Sequence, residues 1–443
     1  MELIVAFIIS FFLLILSAFR GIFPAYPLMI SFVLFFIVAV RRGYSLKDVF
    51  GMARNGGKKA FIVIEIFILI GTITAIWMAA GTVSAIVYYG IKLINPNLFI
   101  LSTFLISCCV STLIGTSFGT VGTVGIALMV IARSGGVSIA ATAGAIIAGA
   151  YFGDRCSPMS SSASLIAHLT ETNIYENIKN MIKTSIVPFF ISIILYTLVS
   201  FRFPLGNISS SINNEIAKAF NINIIALIPA FIIIVFAVFK VNVKASMFIS
   251  IITAFLLSIF IQHNTILDSI RFIIYGYNMD KASPLYSIIK GGGILSMLKT
   301  SLVILISSAL SGIFEGTNML KRFETINANS RYEVYRNITI TSIISALFAC
   351  SQVLAVIITH MLNKKVYEKN KIDKLNFAVD LENTAIVISA LIPWNIALLV
   401  PMTNLGADTS CVPYLFYLYV LPLANLVFLK YGSHKGERGI STK

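Results

Sequence analysis

The stretch that decides the fold is STLIGTSFGTVGTVGIALMV, which runs from Ser111 to Val130. Its flanks are as apolar as a membrane-spanning helix, but its centre consists of Gly, Thr and Ser. The stretch AGAYFGDRCSPMSSSAS, Ala148–Ser164, has a similar character, because an apolar run ends there in Asp, Arg and Pro. Apolar segments with such polar interruptions are typical of helices that open inside a membrane to line a cavity.

The composition predicts an integral membrane protein. Of the 443 residues, 58% are hydrophobic and only 12% are charged, whereas a soluble domain carries roughly 25% charged residues. Backbone groups in lipid must bond internally, and no stretch alternates like a barrel strand. The chain is therefore expected to be all-α, with about ten to thirteen membrane segments.

The polar stretches between the apolar segments are too short to hold a soluble domain. We therefore predict a single transmembrane transporter domain over residues 1–443. Two approximate halves, 1–202 and 223–430, would be joined by a linker at 203–222. Residues 431–443 would form a cytoplasmic tail.

The net charge of +15 is carried largely by loops. Basic residues crowd the loop Arg41–Lys59 and the C-terminal tail, as the charge bias of cytoplasmic loops requires. This pattern predicts a multi-pass protein of the cell (cytoplasmic) membrane with both termini in the cytoplasm. The loop could also contact anionic lipid. The expected partners are the lipid bilayer and small ions or a small organic solute, with no nucleic acid.

One apolar segment conflicts with a simple crossing of the membrane. Ile338–Leu362 lies between two strongly basic stretches, so a single crossing would place one of them on the wrong side. A re-entrant hairpin with its breakpoint at Cys350–Gln352 removes the conflict. In the first half, Ser111–Val130 has its own breakpoint at Gly115–Gly125. Two interrupted segments in roughly corresponding places predict inverted repeats.

The interruption Gly115–Gly125 offers oxygen ligands. Its four glycines, Gly115, Gly119, Gly122 and Gly125, make a helix easy to unwind, which would free backbone carbonyls. The hydroxyl groups lie on Thr116, Ser117, Thr120 and Thr123. Such groups suit a small cation, or a carboxylate held at a helix N-terminus. The alternative is close helix packing, since Gly115 and Gly119 have GxxxG spacing.

Asp154 is the second candidate, because an intramembrane carboxylate next to several hydroxyls is a functional site by default. The neighbouring hydroxyls belong to Ser157, Ser160, Ser161 and Ser162. Asp154 could bind either a cation or a proton. In the alternative interpretation, Asp154 and Arg155 form an ordinary surface pair at a helix end.

A third candidate region joins acidic residues to a helix break. Asp380, Glu382, Asn383 and Thr384 open an apolar segment that Pro393 interrupts just before Trp394 and Asn395. Helix N-terminal charge followed by a proline kink is the alternative interpretation. Glu65, inside an apolar run, could pair with a neighbour or hold a proton. The five cysteines lack metal-ligand spacing and no catalytic nucleophile motif occurs, so neither a cofactor nor an enzyme is predicted.

Five stretches carry a family resemblance. They are Ile70–Pro96, Ile114–Met129 (IGTSFGTVGTVGIALM), Ala143–Ser160 (AGAIIAGAYFGDRCSPMS), Gly291–Thr300 with Ala309–Leu320, and Leu381–Asn395 (LENTAIVISALIPWN). In this order they resemble the NhaC-type sodium/proton antiporter family, which includes malate/lactate exchangers coupled to sodium and protons.

The resemblance implies a polytopic transporter with inverted repeats, discontinuous helices and re-entrant hairpins, and with Na⁺ and H⁺ as coupling ions. It implies a pathway lined by Thr116, Ser117, Thr120, Asp154, Ser157, Ser160, Glu382, Thr384, Trp394 and Asn395. Asp154, Ser157 and Thr116 would hold Na⁺. Homodimers are common among transporters of this kind, and a homodimer is compatible with the sequence.

Two positions depart from the family pattern. Ser161 and Asn383 stand where family members have Asp, while Asp380 adds a carboxylate. Fewer titratable groups weaken proton exchange, so two functions stay open. One is Na⁺/H⁺ antiport, and the other is Na⁺- or H⁺-coupled transport of a small organic acid or amino acid. A channel or a non-transporting scaffold is a third alternative.

Overall fold

The computed structural model describes residues 2–20, 22–93, 95–158, 160–206, 217–239, 241, 243–279, 291–317, 319, 328, 330–349 and 351–436. Within these ranges the chain is helical with connecting loops, and the only β pairing is an isolated bridge between Tyr277 and Gly291. The predicted all-α class is confirmed.

The helices of the first half are α1 (Glu2–Arg20), α2 (Ala25–Arg41), α3 (Leu46–Ala79), α4 (Thr82–Leu93), α5 (Phe99–Ile114), α6 (Ser117–Thr120), α7 (Ile126–Ser134), α8 (Ile139–Cys156), α9 (Ser161–Thr170) and α10 (Ile174–Arg202). Those that follow are α11 (Ile228–Val238), α12 (Val243–Phe260), α13 (Ile266–Tyr275), α14 (Leu298–Thr317), α15 (Arg331–Ala349), α16 (Gln352–Lys369), α17 (Lys374–Leu381), α18 (Val387–Ser389), α19 (Ile396–Asn404) and α20 (Phe416–Gly436). Wider π turns at Val121–Gly125 and Glu382–Ile386 connect α6 to α7 and α17 to α18.

The surface of the bundle is apolar, as a lipid-facing surface must be. On α10 the exposed residues include Phe190, Ile194 and Leu198, whereas Ser185 and Ser192 are buried. Small polar residues inside and large apolar residues outside are the pattern of membrane helix packing. Helical stretches long and apolar enough to cross a membrane are Pro96–Leu113, Ser117–Ser134, Ile174–Arg202 and Ile294–Thr317, and several shorter apolar helices accompany them.

Helices α5 to α7 form a hairpin. The Leu205 amide donates to the Pro96 carbonyl at 2.9 Å, and the Gly206 amide donates to the Gly135 carbonyl at 2.9 Å. Pro96 precedes α5 and Gly135 follows α7, so the two ends of the segment lie side by side. The break is shorter than the predicted Gly115–Gly125, because only Gly115, with φ 73°, and the N-cap residue Thr116 leave the helix.

Helices α15 and α16 form a second hairpin, as the basic residues on both sides of this segment predict. The Arg331 guanidinium at the start of α15 and the Tyr367 hydroxyl at the end of α16 both contact the Asp380 carboxylate, at 2.6 and 2.5 Å. The tip lies between Ala349 and Gln352, although Cys350, part of the predicted breakpoint, lies outside the described residues.

Two further helices are discontinuous. α8 ends at Cys156 and α9 begins at Ser161, while α18 ends at Ser389 and α19 begins at Ile396. The two segments meet where the Tyr151 hydroxyl donates to the Ala397 carbonyl at 2.6 Å. The predicted helix breaks after Asp154 and around Pro393 are therefore confirmed.

The two hairpins enter the bundle from opposite ends of α10. The first begins and ends beside Leu205, just after α10. The second ends near Lys374, whose ammonium group lies 2.5 Å from Glu171, just before α10. With 29 residues, α10 is roughly 40 Å long. Inverted repeats would produce this arrangement, but the repeat relation stays a prediction.

The predicted domain bounds also stay predictions. Residues 207–216 of the predicted linker 203–222 lie outside the described residues. The last helix continues to Gly436, so it extends into the region predicted as a tail, 431–443.

Helices α5 and α8 pack closely through glycines. A Cβ atom on Gly153 would lie 2.3 Å from the Thr112 amide nitrogen and 2.4 Å from the Ser111 Cβ. Gly153→Ala is therefore expected to lower the free energy of unfolding by about 1–3 kcal/mol, the usual cost of overpacking. Thermal unfolding of the detergent-purified protein measures this change.

Gly51 provides the matched control, because it lies on α3 and has no atom within 4 Å of its Cβ position. Gly51→Ala should leave the melting temperature unchanged or raise it, since Ala favours helix. A Gly153→Ala protein that melts at or above the wild-type temperature contradicts the predicted close packing.

Candidate functional site

The tips of the two hairpins face one cavity of about 440 Å³. Its walls include Thr116–Phe118, Asp154, Ser161, Ser162, Gly56, Ser308, Ser311, Gly312, Glu315, Ser351–Leu354, Ile357, Ile396 and Ala397. Both hairpin tips and both discontinuous helices contribute, so the interruptions predicted to carry the function do converge. Ser161, Val353 and Glu315 are exposed and lie toward the opening.

Helix N-termini surround this cavity. The N-cap residues are Thr116 for α6, Ser160 for α9, Ser351 for α16 and Asn395 for α19. The first helical residues of each of these helices line the cavity wall. The first amide groups of a helix have no partner within the helix, and its N-terminus carries a partial positive charge of about half a unit, which favours anions.

The Asp154 carboxylate lies in this cavity wall. It accepts hydrogen bonds from the Ser160 hydroxyl at 2.8 Å and the Ser117 hydroxyl at 3.0 Å. The Ser162 hydroxyl lies 2.8 Å from that of Ser160. Within the described part of the chain no basic side chain pairs with Asp154, which is 7% exposed. The interpretation of Asp154 and Arg155 as a surface pair is wrong, because both are buried.

Arg155 points away from the cavity into the bundle. Its guanidinium donates to Ser185 at 2.8 Å and to Tyr417 at 2.5 Å, and also to the Asn383 side-chain oxygen. All of these partners are neutral. The Asn383 amide donates onward to Thr184 at 3.3 Å. Asn383 therefore helps to hold Arg155 and does not face the cavity.

Glu382 is a buried acidic residue at the start of the second π turn. Only 1% of the residue is exposed, and neither carboxylate oxygen has a hydrogen-bond partner among the described residues. The Nε atom of Arg155 also lacks one. Arg155 and Asp154 are the charged groups that act electrostatically on Glu382. Glu382 is not among the residues described as lining the cavity.

Asp380 and Thr384 have structural contacts. Asp380 binds Arg331 and Tyr367 and so closes the base of the second hairpin. The Thr384 hydroxyl donates to the Asp380 carbonyl at 2.6 Å and accepts from Ser342 at 3.0 Å. Asp380 therefore does not replace an acidic group of the cavity.

The remaining predicted residues do not line this cavity, and one of them lines a different cavity. Thr120 donates to the Thr116 carbonyl at 2.9 Å, and Ser157 is buried after the end of α8. Asn395 caps α19 and donates to the Ala346 carbonyl at 2.9 Å. Trp394 lines a separate cavity of about 410 Å³ beside α1 and donates to the Leu347 carbonyl.

Residues outside the predicted set complete the cavity. Ser351 and Gln352 come from the predicted breakpoint, and Ser311 and Glu315 come from the family motif Ala309–Leu320. Small residues and a carboxylate within that apolar motif could have indicated a lining role. Glu65 lies elsewhere, with its carboxylate 2.6 Å from the Lys244 ammonium. The described ranges hold no group of three or more His, Cys, Asp or Glu residues suited to a metal ion.

Sequence comparison now identifies the family. The profile of the Na⁺/H⁺ antiporter family matches residues 1–163 and 149–433. This chain belongs to the Na⁺/H⁺ antiporter family. The predicted resemblance is confirmed, and the chain is a multi-pass membrane protein and a secondary antiporter rather than an enzyme.

Known relatives of this antiporter cover most of its length. The malate-2H(+)/Na(+)-lactate antiporter of Bacillus subtilis is 29% identical over 89% of this chain and 86% of its own. The Na(+)/H(+) antiporter NhaC of Alkalihalophilus pseudofirmus is 26% identical over 88% and 86%. The arginine/ornithine antiporter ArcD of Halobacterium salinarum is 25% identical over 86% and 81%.

Proposed function

We propose that this antiporter exchanges Na⁺ for H⁺ across the cell membrane, with Asp154 as the Na⁺ site. The observation that carries the proposal is the buried Asp154 carboxylate, which faces the cavity and has only neutral partners. A buried charge without a counter-ion is costly, so the site favours a cation. The carboxylate and the Ser117 and Ser160 hydroxyls offer the hard oxygen ligands that such a cation prefers.

A second candidate function follows from the size and polarity of the cavity. A volume of about 440 Å³ exceeds what a bare ion needs, and the surrounding helix N-termini favour negative charge. These features support exchange of a small organic acid or amino acid together with Na⁺ or H⁺. The malate/lactate and arginine/ornithine antiporters among the relatives make both solute classes worth testing.

The basic stretch Arg41–Lys59 supports an orientation, although from Leu46 onward it belongs to α3 and is not a loop. The loop before α3 lies on the cavity side of the bundle, because the Tyr44 hydroxyl contacts the Thr317 carbonyl and Gly56 and Glu315 line the cavity. We therefore place the cavity opening and both termini on the cytoplasmic side. The expected partners stay small ions or a small solute and the lipid bilayer, and a homodimer stays a prediction.

Transport by the purified protein in liposomes with a trapped pH indicator tests the proposal. We expect an imposed Na⁺ gradient to move protons in the opposite direction, and an equal K⁺ gradient to have no effect. Adding malate, lactate or arginine to either side tests the second candidate. No pH change with Na⁺ alone, but a change once one solute is present, would replace Na⁺/H⁺ exchange by solute exchange. No response in any arm contradicts both functions.

A further inference from the structure

The buried carboxyl group of Glu382 has no structural role that its contacts explain. Buried polar groups almost always have a hydrogen-bond partner, and an orphan calls for a reason. Glu382 begins the π turn between α17 and α18, and its carboxyl oxygens bond to none of the described residues. Asp380, two residues earlier, is by contrast paired with Arg331, so a carboxylate in this segment can have a structural partner.

The surroundings of Glu382 suit a proton better than a metal cation. A cation needs several oxygen ligands in place of its water, and among the described residues no hydroxyl or amide group donates a hydrogen bond to the Glu382 carboxyl oxygens. A proton needs only one oxygen atom. The hydroxyls of Ser117 and Ser160 instead surround Asp154, which faces the cavity. The two carboxyl groups are therefore suited to different ions.

The charges around Glu382 connect it to Asp154. The buried titratable groups on the surrounding helices, within the described residues, are Tyr151, Asp154, Arg155 and Cys156 on α8, Tyr335 on α15, His360 and Tyr367 on α16, Asp380 on α17 and Tyr417 on α20. His168 on α9 is exposed, and Asp380 is neutralised by Arg331. Asp154 and Arg155 are thus the charges that no ion pair compensates.

We infer that Glu382 carries the exchanged proton while Asp154 carries Na⁺, and that Arg155, which donates to the neighbouring Asn383, supplies a fixed positive charge. The inference rests on the proposed function and assigns the two exchanged ions to two different carboxyl groups. When Asp154 is ionised and empty, its negative charge disfavours a second negative charge on Glu382, so Glu382 keeps its proton.

Na⁺ binding reverses this balance. Na⁺ neutralises Asp154, the repulsion disappears, and Arg155 stabilises the Glu382 carboxylate as the proton leaves to solvent. The balance is one Na⁺ bound at Asp154 for one H⁺ released from Glu382. By linkage, loss of the proton must strengthen Na⁺ binding by the same factor, which for coupled sites is typically five- to 150-fold.

Glu382→Gln tests the inference, because Gln imitates the neutral acid and cannot release a proton. We expect the variant to bind Na⁺ with an affinity that no longer rises with pH and that is about tenfold weaker than wild type in alkaline solution. Addition of Na⁺ to the purified variant in weakly buffered detergent solution should release no protons, whereas wild type releases them. Glu176→Gln is the control, since Glu176 is exposed on the first turn of α10.

An infrared measurement separates this inference from the proposed function. Wild-type protein at neutral pH should show the carbonyl stretching band of a protonated carboxylic acid, which Glu382→Gln removes and Na⁺ diminishes. The inference is overturned if Glu382→Gln keeps the band, releases protons like wild type or fails to bind Na⁺. If the band belongs to Glu382 but Na⁺ does not change it, the Glu382 proton is not the exchanged one and the inference is overturned. Na⁺-driven proton movement in liposomes then decides the proposed function separately.

Discussion

Replacement of Asp154 by Asn should reduce Na⁺-driven proton movement by about a hundredfold or more. Asn keeps the size of the side chain and one acceptor for the Ser117 and Ser160 hydroxyls, so the fold should persist. It removes the negative charge that Na⁺ would neutralise. Losing one partner of a buried charge pair typically costs about 3–5 kcal/mol, which exceeds a hundredfold in binding.

The measurement is the Na⁺-driven pH change in proteoliposomes, with direct Na⁺ binding to the purified variant as a second reading. Asp373→Asn is the matched control, because Asp373 is an exposed residue before α17 and makes no capping hydrogen bond. Equal Na⁺ affinity and exchange in Asp154→Asn and wild type would move the cation site away from this carboxylate.

Arg331→Met should lower the free energy of unfolding by about 3–5 kcal/mol, because it leaves a buried carboxylate without its counter-ion. Asp380 is 5% exposed at its side chain and would keep only the Tyr367 hydroxyl as a side-chain partner. These contacts join the first turn of α15 to the last turns of α16, so the second hairpin should lose the clamp at its base. Arg331→Met should therefore yield less folded protein and a lower melting temperature in detergent.

The double variant Arg331→Met/Asp380→Asn distinguishes pairing from simple damage. Asn is uncharged and still accepts from Tyr367, so the double variant should recover most of the stability that Arg331→Met loses. Arg54→Met is the control for removing an exposed guanidinium. Strictly additive losses in the double variant would show that the Arg331–Asp380 pair contributes nothing to the stability of the hairpin.

Local sequence patterns predict the helix breaks well. Glycine next to threonine marks the tip of the first hairpin, and the basic residues on both sides of Ile338–Leu362 predict the second. The predicted break Gly115–Gly125 is longer than the observed one, since Ser117–Gly125 stays helical. Open backbone groups are costly in an apolar setting, so the chain keeps every helical hydrogen bond that it can.

Sequence patterns do not predict which distant parts of the chain contact each other. The residues next to Asp154 in the sequence indicate its role, but Ser351 and Gln352 reach the same cavity from the other hairpin. The direction of Arg155 depends on Tyr417 and Asn383, which lie far along the chain. Trp394 lines a different cavity because its indole N–H donates to Leu347. One sequence without a fold cannot supply these pairings.

The wide turns at Val121–Gly125 and Glu382–Ile386 interrupt the regular α-helical pattern once in each half of the chain. A π turn holds one residue more than an α turn, and single π turns within helices are frequent at functional sites. One π turn begins four residues beyond Ser117, and the other begins at Glu382. The extra residue therefore rotates the helix face after each turn relative to the face before it, close to the side chains proposed to bind Na⁺ and the proton.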